Sequence, residues 1–76
     1  GKRIRIVFNG ESSYQPVVSN LVLECRAPVN ILFADTKDIE GKAYGHMLLE
    51  LPEDPHAAQR ACAWLDAEHI TYSWEA

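Results

Sequence analysis

Few residues in this 76-residue chain could do chemistry: three histidines (His46, His56, His69), two cysteines (Cys25, Cys62) and the acids Glu50, Glu53 and Asp54. A general base needs a nucleophile or a substrate proton within hydrogen-bond reach, and none of the histidines is paired in sequence with a nucleophile. His46 falls on an expected strand, His56 in the first turn of an expected helix, and His69 at the end of that helix, where a cation suits the dipole. The acids read as a polar edge and a helix cap rather than an acid/base pair. Cys25 and Cys62 lack the spacing of a zinc or iron–sulfur site and read as core thiols of a cytosolic protein, although their positions leave a disulfide open. The four glycines are scattered, with no phosphate-cradling loop. The chain is therefore read as non-catalytic, with no metal and no cofactor.

Two residues are better placed for binding. Asn30 sits at the start of the apolar run Val29 to Thr36. An amide with two donors and an acceptor is costly at the mouth of a buried strand unless a partner satisfies it. Either it caps the preceding turn or bonds to neighbouring backbone, or it faces a ligand. Gly45 lies within an expected strand, where a missing side chain permits a bulge, packing under an aromatic, or close approach of a ligand to the backbone.

The elements that must position these residues follow from periodicity. Arg3 to Phe8 alternates, with Ile4, Ile6 and Phe8 on one face, and Asn9-Gly10 is expected to end the strand. Ser12 and Ser13 offer capping oxygens for a helix from Pro16 to about Arg26, with Val17, Val18, Leu21, Val22 and Cys25 as its apolar stripe. Pro28 stops it. Val29 to Asp35 reads as a strand, Glu40-Gly41 as hairpin chemistry with a loose Asp38 to Gly41 tip, and Lys42 to Leu51 as the returning strand. Asp54-Pro55 starts a second helix, with Ala58, Ala61, Cys62 and Leu65 inward and an end near His69. Ile70 to Trp74 closes the chain as a strand.

This order predicts an α+β, ferredoxin-like βαββαβ two-layer sandwich, with two helices on one face of a four-stranded antiparallel sheet and the first and third strands at its centre. The open face of such a sheet should be polar. On the hairpin it is not: Ile31, Phe33 and Asp35 oppose Asn30, Leu32, Ala34 and Thr36, while Ala43, Gly45, Met47, Leu49 and Leu51 oppose Tyr44, His46, Leu48 and Glu50. Either assignment leaves large apolar side chains outside, which predicts a homodimer or docking onto another domain.

Size and charge bound the rest. The length is that of one domain of modest stability, here residues 1–76. A hydrophobic content of 47% argues for a packed core. The net charge of −4 works against nucleic acid or an anionic membrane as partner. Lys2, Arg3 and Arg5 form the one basic cluster and read as a solvated strand edge. No apolar run is long enough to span a membrane. The start at Gly1-Lys2-Arg3 suggests a piece of a longer chain.

The triplet Asn30-Ile31-Leu32, preceded by a Pro16-led helix and followed by Gly45-His46-Met47-Leu48-Leu49-Glu50 and Ala63-Trp64-Leu65, resembles the NIL domain over nearly the whole chain. That family forms the cytoplasmic C-terminal domain of the ATPase subunit in many bacterial methionine ABC importers. The resemblance implies a regulatory module, cut from a longer ATPase chain, that pairs with its copy, binds methionine or a similar amino acid, and slows transport by feedback. It also implies a place at the inner face of the membrane beside the transporter's membrane subunits. Carried over by position, the ligand site falls on Pro28, Val29, Asn30 and Ile31. A thioether tail would also need an apolar slot, for which Ile31, Phe33 and Met47 are candidates, and Phe33, Met47 and Leu49 are read as a ligand slot or dimer face. Where members can have asparagines before the triplet, this chain has Pro28 and Val29. The alternative is a ligand-free dimerisation or docking module of another protein, such as a ferredoxin fusion.

Overall fold

In a computed structural model of the chain, which describes residues 2–13 and 15–75 and the side chains of all of these except 11–13, apolar alternation and helical stripes resolve into six elements. They are β1 (Arg3–Ser13), α1 (Val17–Leu23), β2 (Asn30–Ile39), β3 (Lys42–Glu50), α2 (Pro55–Ala67) and β4 (Thr71–Glu75). The sheet order is β2-β3-β1-β4, and every neighbouring pair is antiparallel. This is the α+β arrangement expected from the element order.

The inner sheet face carries Ile4 and Ile6 of β1 and Leu49 of β3, all without exposed surface, against Val17 and Leu21 of α1 and Ala57, Ala61 and Leu65 of α2. Burying each large aliphatic side chain is worth roughly 1.5–3 kcal/mol. The alanines on α2 let its backbone approach the sheet closely. Its N-terminus is built as the sequence predicts, with Asp54 accepting a hydrogen bond from the His56 amide at 3.0 Å and Pro55 opening the helix.

Both helices close alike. At the end of α1 the Ala27 amide reaches back to the Leu21 carbonyl at 3.0 Å across Arg26, whose φ is +53°. At the end of α2 the Ile70 amide reaches the Leu65 carbonyl at 2.9 Å across His69, whose φ is +58°. These are left-handed C-terminal caps of the kind glycine usually provides. Arg60 of α2 then donates from Nε to the Cys25 carbonyl at 2.8 Å and from Nη2 to the Arg26 carbonyl at 3.4 Å, tying the two helices together.

Several local expectations are corrected. β1 does not stop at Asn9-Gly10 but runs to Ser13, because Gly10 takes a φ of +86° and the ladder to β3 shifts register between Asn9 and Ser13. Ser12 and Ser13 therefore belong to β1; Pro16 takes the N-cap position of α1, which has no side-chain cap and is shorter than its apolar stripe. Val22 is 40% exposed. The hairpin tip is a tight two-residue turn rather than a loose one: β2 continues to Ile39, Glu40 and Gly41 adopt φ of +54° and +81°, and the Gly41 amide donates to Asp38 Oδ1 at 2.9 Å. Both cysteines are free thiols, and burial pushes the Cys25 thiol above its ordinary pKa, with Glu24 adding to the effect.

Candidate ligand and pairing surface

The decisive local feature is a bulge. In the β2–β3 ladder Ile31 stands opposite Leu49 and Phe33 opposite Leu48, so Leu32 is an extra residue on β2. The bulge breaks the alternation, placing Asn30, Phe33, Asp35, Lys37 and Ile39 on the open face, paired with Glu50, Leu48, His46, Tyr44 and Lys42. Ile31, Ala34 and Thr36 share the inner side with Leu49, Met47 and Gly45.

Contacts on the open face agree. Asn30 Nδ2 donates to Glu50 Oε1 at 3.1 Å. That bond, assisted by nearby positive charge including Arg3, holds the Glu50 carboxyl below the usual glutamate range. Phe33 meets His46 edge to face, with ring centroids 5.2 Å apart. Arg5 lies at the centre, with Nη1 2.8 Å from His46 Nδ1 and Nη2 3.0 Å from Glu75 Oε1. A guanidinium can only donate, so Nδ1 is the acceptor in that bond. The open face thus carries an amide–carboxylate pair, a charged centre, and the half-exposed apolar side chains Val7 and Phe33.

The residues selected in sequence divide accordingly. Pro28 and Asn30 are exposed, Val29 packs partly against the core, Ile31 is 54% exposed beside the bulge, and Phe33 is 49% exposed. Leu49 has no exposed surface and belongs to the core, so it can form neither a ligand slot nor a dimer face. Met47 also points inward. It lines, with Phe8, Pro16, Val18, Thr36 and Ala43, an apolar cavity of about 320 Å³ between α1 and the sheet. The structure therefore brings Asn30 and Phe33 to one face and leaves Met47 on the other. A second groove of about 490 Å³ lies between α2 and β4, where Lys2, Pro52, Pro55, Cys62 and Trp74 form its walls. Lys2 Nζ stands 5.8 Å from the centroid of the Trp74 ring.

Arg5, Glu75 and the partnership of Glu50 with Asn30 escaped the sequence reading. Strand parity alone puts Arg5 opposite the buried Ile4 and Ile6, but its partners come from β3 and β4 and need the ladder registers. Gly45 is also clarified. Its φ is +116°, and a methyl group there would run into the backbone carbonyl of Asp35 on β2, so its space is taken by a neighbouring strand rather than by an aromatic ring. The glycine under an aromatic is Gly10, beneath Tyr44. Among the described residues no three His, Cys, Asp or Glu side chains gather as metal ligands, and no helix is long and apolar enough to cross a membrane.

A family model described as the NIL domain matches residues 2–73. This chain belongs to the NIL domain family. The methionine import ATP-binding protein MetN 2 of Acinetobacter baylyi is 30% identical over 67 residues, 88% of this chain and 20% of that protein. MetN of Chromohalobacter salexigens is 33% identical over 67 residues, again 88% of this chain, and 19% of that protein. The chain thus spans about a fifth of the length of these relatives. The crystal structure of the C-terminal domain of an ABC transporter ATP-binding protein from Enterococcus faecalis shares the fold, with a TM-score of 0.82 and 23% identity over 97% of this chain and 82% of that one. Within this NIL domain the bulge falls on Leu32, the third residue of the Asn30-Ile31-Leu32 triplet, so the triplet is where β2 changes which residues face outward.

Proposed function

We propose that this NIL domain is the regulatory, amino-acid-binding part of a longer ATPase subunit of a methionine importer, working at the cytoplasmic face of the membrane. The observation that carries the reading is the Asn30–Glu50 pair, exposed at the rim of Ile31 and Phe33. An amino acid with a thioether tail needs a few polar groups for its ends and apolar surface for its tail. The Asn30 amide and adjacent backbone from Pro28 to Ile31 supply polar contacts, the ionised Glu50 offers a place for an ammonium group, and Phe33 supplies apolar surface. The relatives' description as methionine import proteins supports methionine as the ligand.

The domain performs no chemistry itself. Paired with its copy, it would couple ligand to transport if methionine binds one arrangement of the paired domains more tightly than another, for a ligand can shift an equilibrium only by that difference. The arrangement favoured by methionine is the one that slows ATP-driven import. A second reading, a ligand-free pairing or docking module, is favoured by one observation: neither cavity described above is lined by Asn30. Calorimetry with methionine on the wild-type chain and on Asn30→Ala separates the two.

A further inference from the structure

We infer that two copies of this chain join through β2, antiparallel about a two-fold axis at Thr36, so that Asp35 of each copy faces Lys37 of the other. The inference rests on the pairing half of the function proposed above and adds to it a strand, a register and the residues that set them.

The sheet has two edges, β2 and β4. An edge strand presents unpaired N–H and C=O groups, and proteins blunt such edges with prolines, short strands or bulges. β4 is blunted by its length of 5 residues. β2 has 10 residues, no proline, and nine exposed positions. Its one bulge, at Leu32, lies near its start and leaves residues 33–39 in unbroken register with β3.

The hairpin turn then fixes which backbone groups point outward. Glu40 and Gly41 both have positive φ, as in the two-residue turn that closes on a hydrogen-bonded flanking pair, here Ile39 and Lys42. Ile39, Lys37, Asp35 and Phe33 accordingly turn their N–H and C=O groups to β3, and Ala34, Thr36 and Asp38 turn theirs away. A second copy of β2 can bond to this edge antiparallel only where outward residues face outward residues, which requires an axis through a residue.

The choice among axes is electrostatic. Centred on Asp35, the pairing sets Asp35 against itself; centred on Lys37, it sets Lys37 against itself; centred on Asp38, it repeats the like-charge fault. Centred on Ala34, it draws the bulged Leu32 into the ladder. Centred on Thr36, it sets Asp35 against Lys37 twice, Phe33 against Ile39 twice and Thr36 against Thr36. Opposite charges, apolar pairs and paired threonines are favourable cross-strand neighbours, and the self-complementarity is what a two-fold interface demands. Phe33 and Ile39, 49% and 50% exposed in the single chain, would cover one another. Asp35 and Lys37 fall at non-hydrogen-bonded positions, where facing side chains lie closest.

Sedimentation of the 76-residue chain tests this with two sets of surface variants. Asp35→Lys alone and Lys37→Asp alone each turn both opposed charge pairs into like pairs and should weaken the dimer about tenfold, while the double swap should restore it. Independently, Thr36→Cys should give a disulfide-linked dimer under mild oxidation, because hydrogen-bonded cross-strand positions lie about 5.5 Å apart between Cα atoms, within disulfide range. The wild-type chain with its own two thiols is the control. A chain that stays monomeric at all concentrations overturns the inference together with the pairing half of the proposed function. A dimer that ignores the charge swap and fails to cross-link at position 36 overturns the register alone. Methionine heat is read separately and depends on Asn30, so neither result is confused with loss of the ligand site.

Discussion

Asn30 and Glu50 face one another across the β2–β3 ladder, with the amide nitrogen 3.1 Å from a carboxylate oxygen. This one bond is the largest cause of the lowered Glu50 pKa. A carboxyl whose folded pKa lies below its unfolded value stabilises the fold above the unfolded pKa and loses that contribution as pH falls through the folded one. Asn30→Ala should therefore raise the Glu50 titration midpoint, read by carboxyl-carbon NMR, and reduce the acid-dependent part of stability. An unchanged midpoint would show that the bond does not form in solution.

Gly45 should not accept a side chain. Its φ of +116° and the Asp35 carbonyl beside it combine a backbone penalty with a steric one. Gly45→Ala should cost about 2–3 kcal/mol or more in urea unfolding. A loss under ~0.5 kcal/mol, the usual scatter for neutral surface sites, would mean that β2 and β3 do not approach as described.

The left-handed helix caps carry the opposite expectation. His69 is exposed and holds a φ of +58°. His69→Gly should stabilise the chain by about 0.5–1 kcal/mol, because glycine adopts this conformation without the clash of a Cβ. Thermal unfolding with an unmoved or lower midpoint would count against the cap geometry.

Tyr72 sets the alkaline limit. Burial first, then Cys62 and Asp66 beside it, push its phenol up to about 12, against an ordinary value of about 10. The fold favours the neutral phenol, so this contribution is complete below the ordinary tyrosine range and is lost as pH climbs from about 10. Ultraviolet titration should show a phenol ionising near 12 that Tyr72→Phe removes. The variant should also lose less stability in alkali than the parent.

The element order was legible because strand and helix periods differ and because Asp54-Pro55 and Pro28 punctuate the chain. Gly10 misled because Asn-Gly reads as a stop when viewed locally, whereas its positive φ lets β1 bend and continue under Tyr44. The face of β2 was illegible for a different reason. A single extra residue, Leu32, inverts every outward position after it, and a sequence of apolar residues on both sides carries no mark of where that residue lies. This is why Phe33 and Leu49, read together as a ligand slot or dimer face, end on opposite faces; Met47 is parted from Asn30 by strand parity alone, three positions along β3 from Glu50, the partner of Asn30. Glu50 looked like a polar edge because its partner is 20 positions away in sequence.

Calorimetric titration of methionine into the 76-residue chain, repeated with Asn30→Ala, tests the central proposal most directly. The account predicts saturable heat from the wild type and at least a tenfold weaker response from the variant, with unchanged circular dichroism; an amide lost from a binding site costs about 1.4 kcal/mol or more on that scale. No heat from the wild-type chain, or equal heat from both proteins, would contradict it.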